Sequence, residues 1–293
     1  MQTTLRNEKI EIQIHAVGAE LQAMKSLTTG KDYFWYGDPE FWGRRSPVLF
    51  PFVGSVKDKK YRHEGVEYAM NQHGFARDME FTIISQNETE IWYAVDSTEE
   101  TFEKYPYHFH MEIGYRLEGN VVRVMWKVKN TNDKTMYFSI GAHPAFLCPF
   151  HKEQCYLGFT GKDGKTPEKL VSRLLGDGGC VIKDFEDYPL EDGLLPFTET
   201  LFDCDTLIME DDQIKRVALL DKDKKEYLAV EFDAPLVGVW SPPGKPAPFV
   251  CIEPWYGRCD GVYFDGELKD REWGNTLEAG QEFCAEYKIC LFD

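Results

Sequence analysis

Three short stretches hold ionisable side chains beside residues that stiffen or free the backbone. In Gly141-Ala142-His143-Pro144-Ala145-Phe146, Pro144 has no N–H and restricts His143 to extended angles, so this imidazole is aimed rather than merely packed. In Asn71-Gln72-His73-Gly74-Phe75-Ala76-Arg77, Gly74 frees the chain next to His73. In Cys251-Ile252-Glu253-Pro254-Trp255-Tyr256-Gly257, Glu253 is pinned by Pro254. Read alone, each of these groups is more often a hydrogen-bonded structural residue. What they share is a place at the edge of an apolar run, which is how sites mounted on strand ends are built. Together they offer an acid, a base and an auxiliary histidine in one pocket, the groups of general acid–base catalysis. Trp240, Trp255 and Tyr256 supply apolar ring faces that suit a pyranose, and core packing is the equally ordinary reading of them.

The elements that must position these residues are strands. Ile10, Ile12 and Ile14 alternate with polar residues, and a second element follows at 32–36. Residues 38–42 suit a single helical turn. The run from Trp42 to Gly54 carries Arg44 and Arg45 ahead of apolar residues punctuated by prolines; for either arginine alone, a solvated charge and a pocket residue are equally ordinary readings. Residues 81–95 read as a hairpin, 111–117 and 121–130 face each other across Glu118-Gly119-Asn120, and 136–140 leads into the His143 loop. A short helix is expected over 96–104, capped by Ser97 and closed by Pro106. Residues 161–200 are poor in pattern and read as a long excursion with at most short strands. Strands resume at 206–209, 216–220, 227–232, 236–240, 249–252 and 283–291. More than a dozen short strands, almost no helix and no repeat period predict an all-β sandwich of two large antiparallel sheets.

Composition bounds the rest. The chain has 293 residues, 43% hydrophobic and 14% aromatic, ample for a packed core in one domain spanning 1–293. A formal charge of -17 supplies no basic face for nucleic acid. Eight cysteines without C-x-x-C or zinc spacing read as buried reduced thiols. No apolar leader and no run of eighteen apolar residues predict a cytoplasmic protein with no membrane partner. There is no G-x-G-x-x-G, P-loop, G-x-S-x-G or H-E-x-x-H, which disfavours nucleotide, hydride and serine-hydrolase chemistry. His108, His110 and Glu112 would share a strand face, but their spacing completes no recognised ligand set; surface strand residues are the favoured reading, and no metal is expected.

Taken together, N-Q-H-G-F-A-R, G-A-H-P-A-F and I-E-P-W-Y-G, with S-P-V-L-F-P-F-V-G and the Y-P-Y-H-F-H…Y-R-L-E-G strand pair, resemble the aldose 1-epimerase (galactose mutarotase-like) family in its shorter, LacX-like bacterial branch. The resemblance covers nearly the whole chain in order. It implies a β-supersandwich and interconversion of the α and β anomers of an aldose without a cofactor. By that likeness Glu253 is the base at the anomeric hydroxyl, His143 the acid at the ring oxygen, and His73 an assisting group. Asp205 would hold sugar hydroxyls, and Arg45 and Arg77 would be the arginines of the pocket. One departure matters. The classical mutarotases carry a second glycine after His-Gly, whereas Phe75-Ala76-Arg77 follows here, as in the branch that includes hexose-6-phosphate mutarotases. Arg77 with Arg44 or Arg45 could therefore meet a phosphate, so the expected partner is a small sugar or sugar phosphate, bound by a monomer or homodimer.

The ordinary pKa values of about 6.5 for histidine and about 4.3 for glutamate suit these acid and base roles. The alternative on the same fold is a non-catalytic carbohydrate-binding or sensing protein, which would not need an acid–base pair. A glycosidase wants two opposed carboxylates, and the three stretches hold one.

Overall fold

Successive side chains of each central strand point into two different environments. The computed structural model describes residues 1–148 and 154–292. Among these, two large antiparallel sheets form. The nine-stranded sheet runs in the order Leu194–Pro196, Tyr156–Thr160, Arg216–Leu220, Glu226–Phe232, Glu282–Leu291, Val121–Asn130, Phe109–Glu118, Glu90–Asp96 and Thr82–Gln86. The seven-stranded sheet contains Ile140–Gly141, Phe249–Tyr256, Leu236–Trp240, Leu207–Met209, Lys169–Leu175 and Val181–Pro189 in that order, with Ala145–Leu147 also paired to Phe249–Tyr256. Gln2–Arg6, Ile10–His15 and Glu20–Ser26 form a separate three-stranded sheet. The all-β expectation holds.

In the strand Phe249–Tyr256, Val250 and Ile252 enter the large core, which they share with Val237 and Val239, Leu207 and Met209, and Val122, Val124 and Ile289 of the other large sheet. The intervening residues point the opposite way, because successive side chains of a strand alternate between faces. That opposite face carries Cys251, Glu253 and Trp255, Gly238 and Trp240, and Ile208. Both faces of Phe249–Tyr256 are covered, with only Tyr256 partly exposed. Such a strand shows no alternation in its sequence.

Several boundaries differ from those predicted. Residues 161–200 hold two substantial strands, Lys169–Leu175 and Val181–Pro189, paired as a hairpin at the edge of the seven-stranded sheet. The outer strand is mostly exposed, so neither of its faces needs apolar residues and no period appears. The helix is Glu99–Lys104, and its cap is Thr98 in a capping box with Thr101; the Ser97 hydroxyl instead accepts from the Phe109 N–H. Residues 38–42 form a turn in which the Asp38 carbonyl accepts from the Phe41 and Trp42 N–H groups. Six of the eight cysteines are buried, but Cys204 and Cys284 are exposed, and none forms a disulfide. His110 binds Asp96 at 2.8 Å and Glu112 at 3.3 Å, and Glu112 accepts from Lys127, so that strand face is a polar surface network. No helix among the described residues is long and apolar enough to cross a membrane.

Candidate active site

The face of the seven-stranded sheet turned away from the large core is roofed by the segments around 42–44, 54, 72–77 and 259, which leave a cavity of about 530 Å³. That lies within the range of roughly 300–1,000 Å³ usual for small-molecule sites. Of the residues expected at a site, His73, Arg77, His143, Asp205, Trp240, Glu253 and Trp255 all line it.

Glu253 and His143 meet at its wall. His143 Nδ1 is 3.4 Å from Glu253 Oε1, with the two side chains 9% and 1% exposed. His143 Nδ1 and both Glu253 oxygens are buried without a hydrogen-bond partner. Burial pushes the Glu253 carboxyl well above its ordinary value, helped by the negative charge of Asp205 and opposed by the nearby Trp255 indole N–H, which falls short of a formed hydrogen bond. Burial also pushes the His143 imidazole down to about 3, with Arg77 and Arg44 adding to the effect. The ordinary values expected from sequence do not survive, because a low-dielectric wall opposes charge on either group. Burial thus favours the neutral form of each group.

His73 is held differently. Its backbone is in the left-handed region at φ 67°, as is Gly74 at φ 69°. A Cβ on Gly74 would lie 2.2 Å from the Phe50 carbonyl oxygen, so only glycine fits there. The Gly54 N–H donates to His73 Nδ1 at 3.1 Å, and the His73 N–H donates to the Gly54 carbonyl at 2.9 Å. With Nδ1 accepting, the proton of the neutral ring is on Nε2. Burial first, then His143, Arg77 and Arg44, hold the ring well below its usual pKa. His73 is thus fixed in place, with burial favouring its neutral form.

Aromatic rings frame the pair. Trp42 stacks on His143 at 4.6 Å and 26°, while Trp240 meets it edge-on at 5.6 Å. Contacts of this kind contribute about 0.5–1.5 kcal/mol and fix the ring plane. Trp42 is held in turn by its carbonyl, which accepts from Trp35 Nε1 at 2.9 Å. The Trp255 indole lies across two glycines. A Cβ at Gly238, opposite Glu253 in register, would fall 2.6 Å from the ring, and one at Gly141 2.7 Å. Gly238→Ala is accordingly expected to destabilise the fold by about 1–3 kcal/mol through overpacking. Denaturant unfolding should show the loss.

Two expected residues lie elsewhere. Arg45 does not line the cavity: its guanidinium donates to the Gln22 carbonyl at 2.7 Å, and its N–H donates to Glu20. Arg44 lines it instead and pairs with Asp78 at 2.8 Å. Arg45 is drawn away by its bonds to Gln22 and Glu20, which leaves Trp42 and Arg44 on the cavity side. Tyr256 is turned from the cavity by the same alternation and packs edge-on against Phe283 at 5.2 Å. Conversely, Trp42, Gln72, Thr206 and Cys259 are lining residues that sequence reasoning passed over. Trp42 had a signal in its tryptophan–glycine–arginine context; Cys259 had none, because the ion pairs that place it are between distant segments.

This geometry can be set beside known proteins. A family model described as Aldose 1-epimerase matches residues 1–290. The chain belongs to the aldose 1-epimerase family. Protein LacX, chromosomal, of Lactococcus lactis subsp. lactis is 28% identical over 279 residues, which are 92% of this chain and 93% of that one. The crystal structure of a galactose mutarotase related enzyme from Lactobacillus acidophilus is 34% identical, has a TM-score of 0.92 and covers 100% of this chain and 98% of its own. That of a galactose mutarotase-like protein from Lactobacillus casei is 28% identical at a TM-score of 0.92, with both chains fully covered. The fold is the galactose mutarotase-like all-β fold, and membership of the aldose 1-epimerase family supports a carbohydrate-epimerase function acting on a sugar.

Proposed function

We propose that this aldose 1-epimerase family member interconverts the α and β anomers of an aldose, free or phosphorylated, by opening and reclosing the ring. The observation that carries this reading is the buried His143–Glu253 contact at 3.4 Å, with its unpartnered polar atoms facing a cavity of sugar size. Ring opening removes a proton from O1 as another is delivered to O5. The C1–O5 bond breaks, a carbonyl forms at C1, rotation about C1–C2 presents its other face, and the same pair works in reverse. One proton on two groups is the inventory this needs.

Sugar hydroxyls donating to the two empty acceptor sites of Glu253 favour its ionised form. The proton then moves to His143, leaving a carboxylate to take the O1 proton and an imidazolium to protonate O5. His73 donates to a sugar oxygen and so helps polarise the reacting end. Asp205, exposed at the rim with its carboxylate accepting from Thr206 at 2.9 Å, would hold hydroxyls. Trp240 and Trp255 offer ring faces to the sugar. Arg44 and Arg77 bring two guanidinium groups to the mouth with Asp78 between them, a setting in which a sugar phosphate is as well received as a free sugar.

Polarimetry of freshly dissolved α-aldoses and their 6-phosphates tests the reading. Accelerated mutarotation that collapses in His143→Ala supports it, while saturable binding with no acceleration would assign the protein to the non-catalytic binders instead. His73→Ala is expected to slow the reaction by about 10²-fold or less, since it removes a donor and not a member of the proton-transferring pair.

A further inference from the structure

Cys251 has no part in the reaction just described, yet it precedes Glu253 by two residues on one strand and so shares its face. Its sulfur, a His143 ring nitrogen and a Glu253 carboxylate oxygen all lie within 4.8 Å of one another. His143 Nδ1 and both Glu253 oxygens are buried without a partner, an arrangement that costs free energy until something satisfies them. The 3.4 Å between His143 Nδ1 and Glu253 Oε1 matches the separation of about 3.4 Å between two ligands bonded to one tetrahedral metal. Cys251 otherwise packs with Trp35, Ala145, Ala247 and Phe249, which offer no competing donor.

Thiolate, imidazole and carboxylate, the last two lining the cavity, form a donor set for borderline-soft divalent ions. Hard ions such as Mg²⁺ prefer oxygen throughout. We propose that His143, Cys251 and Glu253 bind a divalent cation of the zinc class, and that the bound ion closes the acid–base pair by occupying both of its members. The ion is an inhibitor here, not a cofactor. Binding displaces the thiol proton and the proton held by the pair, so it tightens as pH rises.

Cobalt(II) is the direct probe. Titrated into the full-length protein, it should give a thiolate-to-cobalt charge-transfer band that saturates at one equivalent and is bleached by Zn²⁺. The band should vanish in Cys251→Ser and in Cys251→Ala, the latter guarding against a folding defect from a buried hydroxyl. It should persist in Cys204→Ser and Cys284→Ser, which remove the exposed thiols. No band, or one that survives loss of Cys251, overturns the proposal. A second arm rests on the anomer-interconverting reading: Zn²⁺ should abolish mutarotation reversibly with EDTA, and Cys251→Ala, active without metal, should be at least tenfold less sensitive. If the metal-free protein does not accelerate mutarotation, that reading fails while the cobalt band still decides the site. Equal zinc sensitivity of wild type and Cys251→Ala would overturn the inhibition.

Discussion

Glu253→Gln is expected to lower the mutarotation rate by about 10²- to 10⁴-fold while leaving the protein folded. The substitution keeps the shape of the side chain and removes the proton acceptor. The wild-type pH profile should report the pair and not either residue alone. Activity needs one proton on the pair. The acid limb therefore falls where His143, pushed down to about 3, takes a second proton, and the alkaline limb where the last proton leaves a carboxyl raised well above its usual range. A broad plateau through neutrality follows.

Stability carries the same signature with a definite sign. Glu253 binds its proton more tightly in the fold than in the unfolded chain, so its contribution is present below about pH 4.3 and is lost as pH rises towards its folded value. His143 runs the other way: its contribution is complete above about pH 6.5 and is lost as pH falls towards 3. Glu253→Gln should consequently gain stability over wild type as pH rises above neutrality. Melting curves from pH 5 to 9 decide it, and parallel curves for the two proteins would show that Glu253 is not held neutral by burial.

Asp260→Ala should be strongly destabilising, costing about 3–5 kcal/mol. Asp260 Oδ1 accepts from Arg271 Nε at 2.6 Å, with the side chains 3% and 2% exposed. Its Oδ2 accepts from the Lys57 N–H at 2.9 Å, and its own N–H donates to the Ser55 carbonyl. Arg271 also donates to the carbonyl of Arg258, a wholly buried guanidinium paired with Glu210 at 2.7 Å and with Glu272. Truncating Asp260 leaves Arg271 charged and unpaired in the interior, the costly half of breaking a buried pair. At roughly 2–4 °C per kcal/mol, the melting temperature should fall by roughly 6–20 °C. Removing Glu67, whose partner Lys60 is well exposed, should leave it near wild type. The loss should reach the cavity too, because Asp260 clamps 55–57 and the adjoining Gly54 holds His73 by two hydrogen bonds.

The strands that carry clear alternation, such as Ile10–His15 and Glu282–Leu291, were legible, because one face of each meets the core and the other does not. Phe249–Tyr256 was legible only to its midpoint: buried on both faces, it continues through Pro254 with no period to follow. The hairpin of Lys169–Leu175 and Val181–Pro189 was hidden for the opposite reason, an edge strand that buries too little to need a pattern.

For the site, sequence by itself determined which side chains are rigidly mounted. Proline after His143 and Glu253, and glycine after His73, act through bonds between neighbours, and a local constraint is written locally. Those three residues, with the all-β class and the resemblance to the aldose 1-epimerases, came from the chain alone. Tertiary structure alone decided that Arg44 and not Arg45 reaches the cavity, that Tyr256 turns away, and that Trp42 covers His143. It also decided which way each group's pKa moves. Burial and the charge of Asp205 set that, and neither exists until segments separated by a hundred residues close around one face of a sheet.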